Sequence, residues 1–350
     1  MGTAYGNEVG FTTSAAAPSF TCGTSTVSDV DNNTYNTVQI GTQCWTQSNL
    51  KVSKYRNGDN IPTGLSNSAW ENTTSGAYAI YNNDPVNDGL YGKLYNHYAV
   101  TDNRGLCPTG WHVPSDAEWT TLENQLGGSN VAGGALKSTA TQPTPGGWNP
   151  PNTGATNSSG FNALPSGRRA FNGSIDGMSS NGYWWSTLVT SGSTAQYRYL
   201  SYNNSIVVSY NFASASGYSV RCLKNTLPQV NTTSVTNITP YTALVTGEVI
   251  SDGGDQNTIR GFCYSTISNP TVSNDTTRNG TGLGVYSGIL QNLTPSTAYY
   301  VRAYATNSVG TSYGNEVSFT TSAAAPSFTC GTSTVSDVDN NTYNTVQIGT

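Results

Sequence analysis

The sequence predicts an α+β domain followed by an all-β sandwich, and it predicts that this pair of domains is tandemly repeated. The first observation is the repeat itself, because residues 2–42 recur as residues 310–350 with 39 of 41 positions identical. Self-similarity at a long, fixed period is typical of arrays. The second observation is one amphipathic helix among short strands, and the third is a C-terminal run with strand and turn signals only.

The repeat also predicts the kind of assembly to which the chain belongs. The copies differ only at Ala4 against Ser312 and at Gly10 against Ser318, so the chain holds one 308-residue period and the beginning of a second. Near-identical repeats present identical interfaces, which build filaments when the rotation between units does not close. We therefore expect a segment of a filament-forming polymer rather than a free-standing enzyme.

The composition narrows the class of protein. Charged residues make up 9% of the chain, against roughly 25% in ordinary soluble proteins. The small net charge of -5, the 22 tyrosines and the seven tryptophans argue against intrinsic disorder. Without a Lys/Arg cluster or a long apolar run, we expect no nucleic-acid partner and no membrane span. A neutral surface suits an extracellular protein that packs against copies of itself or carries sugars.

The six cysteines indicate an oxidising compartment and hence export. Cys22 and Cys44 flank one short segment, and Cys107 and Cys222 bracket most of a domain, so we predict these two disulfides. Cys263 lies in the apolar run GFCYS and is predicted to be a buried core residue. A leader peptide is not visible after Met1 and would lie upstream of this sequence.

The first domain shows a hairpin pattern and one helix pattern. VSDVDNNTYNTVQIGTQCW alternates polar and apolar residues around a DNN turn. A capping box, Ser115 with Glu118, opens the helix. Trp119 and Leu122 share one helix face with Leu126, and a glycine ends the helix. The strand-like runs GYWWST, AQYRYLSY, SIVVSYN and YSVRCLKN follow.

The second domain is predicted to be a β-sandwich, with the strand-like runs TALVTGEVI, IRGFCYS, YYVRAYAT and EVSFTT. The segment LTPSTAYYVRAY, residues 293–304, resembles the L-x-P-x-T-x-Y signature of fibronectin type III domains, which are immunoglobulin-like sandwiches. That resemblance implies that Tyr299 caps the corner before the sixth strand, with its hydroxyl bonded to nearby backbone.

The same resemblance identifies residues 2–13 as the last strand of a preceding sandwich. Such a strand either continues a longer chain or completes the sandwich of a neighbouring subunit by strand addition. Because the sandwich here has its own last strand, we favour the continuous chain. The strand-exchange or inter-repeat residues are Tyr5, Val9 and Phe11 in the first copy and Tyr313, Val317 and Phe319 in the second.

Six segments, in order across about 200 residues, resemble the Fibrobacter succinogenes major paralogous domain. They are DVDNNTYNTVQIGTQCWTQSNLK, YGKLYNHYAV, GLCPTGWHVPSDAEWTTLENQLGG, GFNALPSGRR, YWWST and GYSVRC. The resemblance implies a secreted α+β domain similar to C-type-lectin-like and formylglycine-generating-enzyme-like folds, with no established activity. His97 and Thr46 depart from the family pattern, which often has Trp and Met there.

Together these signals predict four segments. They are the last strand of a fibronectin III-like domain at 1–15, a lectin-like domain at 16–226, a fibronectin III-like domain at 227–322, and a linker with the start of the next lectin-like domain at 323–350.

No pattern of residues predicts catalysis, and we expect neither an enzyme nor a bound cofactor. His97 and His112 lack a partner at ligand spacing, and no nucleophile motif occurs. The one candidate for calcium is an oxygen-rich stretch, although such a stretch is also typical of turns. Its residues are Asn82, Asn83, Asp84, Asn87 and Asp88.

Two further candidates concern sugars. Trp184 and Trp185 form a pair that either stacks on a glycan ring or packs in the core, since aromatic residues mostly pack. Thr276 follows Asp275 in a D-T-T sequence that resembles an O-glycosylation signal of Bacteroidota-type bacteria. We therefore expect a structural repeat of an extracellular filament whose partners are further copies of itself. The alternative is a secreted glycan-binding or adhesion module with the sandwich as spacer.

Overall fold

The computed structural model describes residues 20–325 and 327–349. The chain divides into two compact units, with the boundary between Lys224 and Asn225. Each unit has hydrophobic clusters of its own. Among the described residues, no helix has the length and apolar character that crossing a membrane requires.

The first unit contains more helix than the sequence patterns indicate. Besides the predicted helix, the described residues of this unit form four shorter ones, which lack a long apolar period and were therefore not predicted. The helices are α1 (Asn67–Asn72), α2 (Pro85–Tyr91), α3 (His97–Val100), α4 (Asp116–Gln125) and α5 (Ser129–Leu136).

Two five-stranded sheets form the frame of this unit. The first has the order β1-β2-β3-β12-β6, and the second has the order β11-β10-β9-β7-β8; β4 and β5 form a separate pair. The strands are β1 (Thr26–Ser28), β2 (Thr34–Ile40), β3 (Gln43–Thr46), β4 (Tyr78–Ala79), β5 (Leu94–Tyr95), β6 (Trp111–His112), β7 (Ser166–Arg169), β8 (Ile175–Met178), β9 (Asn181–Ser191), β10 (Thr194–Ser201), β11 (Val208–Ala213) and β12 (Leu223–Lys224).

Helix α4 forms as its sequence predicts. The Ser115 hydroxyl accepts a hydrogen bond from the Glu118 N–H, and the Glu118 carboxylate accepts one from the Ser115 N–H, which completes the capping box. Trp119 and Leu122 are buried, and Leu126 packs beside them. Gly127 follows with φ of 94°, in the left-handed region that favours glycine at a helix end.

Strand β9 lies between two hydrophobic clusters. Successive side chains of a strand point to opposite faces, so Trp184 enters the cluster around Trp45 and Trp119, whereas Trp185 enters the cluster around Tyr218. One strand therefore contributes large side chains to two cores of this unit.

The second unit is a β-sandwich, as predicted. One sheet has the order β13-β14-β17; the other has the order β16-β15-β18-β19, with β20 also paired to β18. The strands are β13 (Gln229–Thr236), β14 (Ala243–Ser251), β15 (Ile259–Ser265), β16 (Asp275–Thr276), β17 (Gly284–Leu290), β18 (Ala298–Thr306), β19 (Thr311–Tyr313) and β20 (Val317–Thr320).

The core of the sandwich draws on both sheets, and it includes Val245 and Phe262. The predicted tyrosine corner is present, because the Thr294 N–H donates to the Tyr299 hydroxyl at 3.0 Å. Cys263 is buried, also as predicted, and burial raises the pKa of its thiol to about 11.

The last described segment repeats the first hairpin. β21 (Thr334–Ser336) pairs with β22 (Thr342–Asn344) in the register that β1 and β2 use 308 residues earlier. β22 corresponds to the first half of β2, whose second half pairs with β3.

Candidate functional site

Both predicted disulfides are present. Cys22 is bonded to Cys44 and Cys107 to Cys222, each with its Cα atoms 5.9 Å apart. The first bond ties the beginning of the described chain to β3, and the second joins residues 115 apart in sequence. Cys330, the repeat of Cys22, is a free thiol and is exposed.

The Trp184–Trp185 pair packs in the core, which is the second of the two alternatives that the sequence left open, and it is not a glycan platform. The two side chains are 1% and 0% exposed, so neither ring face can reach a ligand. Their indole N–H groups are also used internally: Trp184 donates to Asn49 Oδ1 at 2.9 Å, and Trp185 donates to the Tyr95 carbonyl at 2.8 Å. Alternation along β9 accounts for the result, since both faces of this strand are covered.

His97 is a buried structural residue. Its Nε2 lies 2.9 Å from the Ser186 carbonyl, which fixes the proton on Nε2 in the neutral ring. The ring also packs edge-on against Trp185. Burial lowers the pKa of His97 to about 4, although the bond to Ser186 opposes that shift. A ring that is neutral and enclosed in this way serves packing rather than proton transfer.

His112 contacts the start of helix α4. Its Nε2 lies 2.9 Å from Glu118 Oε1, and the other carboxylate oxygen of Glu118 holds the capping box. Burial alone would raise the pKa of Glu118, but the hydrogen bonds from His112 and Ser115 lower it. The pair therefore stabilises a helix end.

Several polar groups of the predicted calcium stretch are engaged within the fold. Asp84 caps helix α2, accepting from the Val86 N–H, and Asp88 binds the ammonium of Lys93 at 2.7 Å. The Asn87 side-chain N–H donates to the Tyr81 carbonyl at 3.1 Å. Within residues 20–325 and 327–349, no group of three or more His, Cys, Asp or Glu side chains is placed to hold a metal ion.

Exposed aromatic rings gather at the edge strand β11. Tyr210 is 59% exposed and Phe212 36%, and the two share one face because they are two residues apart. Phe171, 41% exposed, contacts Phe212 with ring centroids 5.9 Å apart. We call these three residues the β11 aromatic face. The sequence reasoning missed it, although the alternating run SYNF was a usable signal.

Polar groups lie on the other strands of the same sheet. The Tyr199 hydroxyl lies 2.9 Å from Asn181 Oδ1, and the Arg168 guanidinium donates to Asp176 at 3.0 Å. Tyr183 contacts both Tyr199 and Arg168. The sheet that carries the β11 aromatic face therefore also carries hydrogen-bonding side chains.

Thr276 lies on the short strand β16 at the edge of its sheet, where it pairs with Cys263. Its side chain is exposed, as is that of Asp275. The threonine hydroxyl is therefore accessible from solvent.

The predicted strand-exchange residues divide into two groups. Tyr5, Val9 and Phe11 lie outside the described residues. In the second copy, Tyr313 on β19 and the residues Val317 and Phe319 on β20 all pair with β18. The last strand of this sandwich therefore completes the sheet of its own unit.

Among curated proteins, none matches the chain. Among solved structures, the sensor domain of the anti-sigma factor RsgI4 from Pseudobacteroides cellulosolvens is similar, with 19% identity over 29% of this chain and 96% of that one (TM-score 0.22). A computer-redesigned β-sandwich protein is 31% identical over 29% of this chain and 98% of its own (TM-score 0.21). A human fibronectin type III domain is 19% identical over 29% of this chain and 88% of its own (TM-score 0.20).

The comparison with protein families covers the first unit. Residues 38–224 match the Fibrobacter succinogenes major domain, which is more than half of the chain. The match spans β3, helix α4, both disulfide-bonded residues Cys107 and Cys222, and the WWS strand that carried the resemblance in the sequence. The chain belongs to the Fibrobacter succinogenes major domain family.

Proposed function

We propose that this chain is a repeat of an extracellular structural filament or surface fibre, in which units associate by docking against further copies. The observation that carries the proposal is the recurrence of one hairpin: residues 26–36 and 334–344 have the same sequence and the same strand register. A protein made of one long repeated unit can build a fibre from a single type of contact.

The proposal includes the domain organisation. A C-type-lectin-like domain at 16–226 alternates with a fibronectin III-like domain at 227–322, and residues 323–350 link to the next domain of the first type. The two disulfides and the sparse surface charge support an extracellular location, where disulfides persist and stacked copies avoid charge repulsion.

Electron microscopy of the native secreted material tests the fibre. Uniform filaments whose axial repeat equals one two-domain unit are the expected result, and dispersed particles would contradict it.

An accessible hydroxyl on Thr276 also supports glycan attachment, which mass spectrometry of the native protein would detect as added hexose mass on that residue.

Peptide mapping distinguishes a continuous chain from strand donation. No Lys or Arg occurs between Arg302 and the end of the sequence, and Ser312 and Ser318 mark the second copy. In a continuous array, trypsin releases a peptide that begins at Ala303, contains both serines and continues into a copy of residues 43–51. Donation between separate chains does not yield that peptide.

The second candidate function is glycan binding, and the β11 aromatic face favours it. Exposed Tyr and Phe rings beside amide and charged groups suit the alternating apolar and hydroxyl surface of a sugar. Affinity electrophoresis with a soluble β-glucan tests this candidate. Tyr210→Ala combined with Phe212→Ala should abolish retardation, whereas Tyr241→Ala, which removes an exposed ring from the sandwich, should leave it unchanged.

A further inference from the structure

One row of aromatic rings in the first unit reaches from the core to the surface. Trp185, Tyr197 and Tyr210 hold directly opposed positions on β9, β10 and β11, so their side chains lie on one face of this sheet. Tyr218, from the segment that follows β11, packs against the first two rings. We call these four residues the aromatic row.

Each ring of the aromatic row contacts the next. The ring centroids of Trp185 and Tyr218 lie 4.3 Å apart, and those of Tyr218 and Tyr197 lie 4.7 Å apart. Tyr197 and Tyr210 follow at 6.5 Å. These separations are those of aromatic rings in direct contact. Electrons pass readily between such rings, because the π orbitals of neighbours overlap.

Exposure changes abruptly at the end of the aromatic row. Trp185 and Tyr218 are both 0% exposed and Tyr197 is 7% exposed, whereas Tyr210 is 59% exposed. Among the rings that the structure describes, only Tyr197 contacts Tyr210. Tyr197 is therefore the link between the buried rings and the surface.

Proton release favours the exposed end of the aromatic row. A phenol that loses an electron becomes a strong acid, so its oxidation is complete only when its proton also leaves. Burial raises the pKa of Tyr218 and that of Tyr197, because both hydroxyls are enclosed. The Tyr210 side chain lies in water, which accepts the proton. An electron vacancy that arises in the core is therefore most stable at Tyr210.

We infer that Tyr210 is a site of oxidative modification, and that the aromatic row carries to it the electron vacancy left by oxidation of Trp185. A one-electron oxidant takes one electron from the indole. Tyr218 and Tyr197 pass electrons inward, Tyr210 supplies the last electron, and its proton goes to water. The indole is restored, and Tyr210 remains as a neutral phenoxyl radical.

The product of this chemistry is a cross-link. Two Tyr210 radicals on different copies combine by forming one carbon–carbon bond between their rings, which gives dityrosine and needs no further oxidant. Exposure on the edge strand β11 leaves the ring accessible to a second copy. The reaction goes beyond the proposed function, since it does not require a fibre, and within a fibre it would join copies covalently.

Photo-oxidation of the 350-residue chain tests the inference. Light that tryptophan absorbs and tyrosine does not, with a cobalt(III) ammine as electron acceptor, oxidises the indoles, and a nitroso spin trap marks the tyrosyl radicals. Peptide mass spectrometry then compares adducts at Tyr210 and Tyr241. Tyr241 is the internal control, because it is 54% exposed but lies in the sandwich, whereas all seven tryptophans lie in the first unit. We expect adducts at Tyr210 and few at Tyr241.

Tyr197→Phe tests the link itself. Phenylalanine keeps the ring but is not oxidised under these conditions, so adducts at Tyr210 should fall to the level at Tyr241. Tyr199→Phe is the matched control: it removes a hydroxyl from the same face of β10, but its ring contacts Tyr183 and not Tyr210. This control should leave the yield at Tyr210 unchanged.

Three results would overturn the inference. Equal yields at Tyr210 in the parent and in Tyr197→Phe would show that this ring is oxidised directly from solvent. Equal yields at Tyr210 and Tyr241 in the parent would show the same. Without the trap and at high protein concentration, we expect Tyr210–Tyr210 linkage that Tyr210→Phe abolishes, and dityrosine that forms mainly at other positions would contradict the assigned cross-link.

Discussion

The guanidinium of Arg221 lies 2.7 Å from Asn49 Oδ1, although 172 residues separate the two in sequence. Both side chains are buried. The same guanidinium donates to the carbonyl oxygens of Thr46 and Phe161, each at 2.8 Å, and to that of Asn162 at 3.1 Å. One buried cation thus holds three separate segments of the family domain together.

Replacing Arg221 should strongly lower the stability of the family domain. Arg221→Met takes this donor from three backbone carbonyls and from Asn49 Oδ1, which keeps only its bond from Trp184, so we expect the free energy of unfolding to fall by about 3–5 kcal/mol. Chemical denaturation measures this change. Arg104→Met is the control: Arg104 pairs with Asp102 and Asp59 at the surface, and its loss should cost no more than about 1 kcal/mol. Equal losses in the two variants would contradict the assigned role.

His97 should make stability depend on pH. Burial holds its pKa at about 4 in the folded protein, against about 6.5 in an unfolded chain. Between these values the unfolded chain binds the extra proton, so the free energy of unfolding falls as the pH falls from 6.5 towards 4. At pH 5 the loss attributable to this residue is about 2 kcal/mol, and above pH 6.5 it vanishes.

His97→Gln isolates that contribution. Glutamine keeps a side-chain N–H for the Ser186 carbonyl but does not titrate. Urea denaturation of both proteins at pH 7 and pH 5 measures the difference, and the parent should lose about 2 kcal/mol more than the variant over this interval. Parallel pH profiles would refute the assignment.

The two disulfides should contribute unequally. On the chain-entropy view, a bond that closes a longer loop stabilises more, which gives about 3 kcal/mol for Cys22–Cys44 and about 4–5 kcal/mol for Cys107–Cys222. Replacing each pair with alanine and comparing denaturation curves tests the order. A larger loss from the Cys22–Cys44 pair would show that packing, and not loop length, determines the effect.

The tyrosine corner offers a matched comparison in the sandwich. Tyr299→Phe removes the acceptor of the Thr294 N–H and should lower the free energy of unfolding of this unit by about 1 kcal/mol. Tyr300→Phe removes a hydroxyl from the neighbouring residue, which points to the other face of β18, and should change stability by less than about 0.5 kcal/mol. Thermal unfolding of the two variants distinguishes these outcomes.

Local chemistry determined much of what the sequence predicted. Some features depend on residues that lie close together in the chain, so their sequence patterns predict them without a structure. They are the capping box at Ser115, the turn at Asp29, the corner at Tyr299 and the sandwich strands. The disulfides and the 308-residue repeat were also predicted from the sequence, because Cys spacing and self-similarity are properties of the sequence itself.

Only the tertiary structure decided what those elements cover. Alternation in GYWWST could not say that sheets and helices enclose both faces of β9, so the sequence left Trp184 and Trp185 open between a ligand surface and the core, while the exposed rings of Tyr210 and Phe212 were missed. Burial is a property of packing between distant segments, and Tyr35 is buried only because β3 and the cores of its unit cover the hairpin.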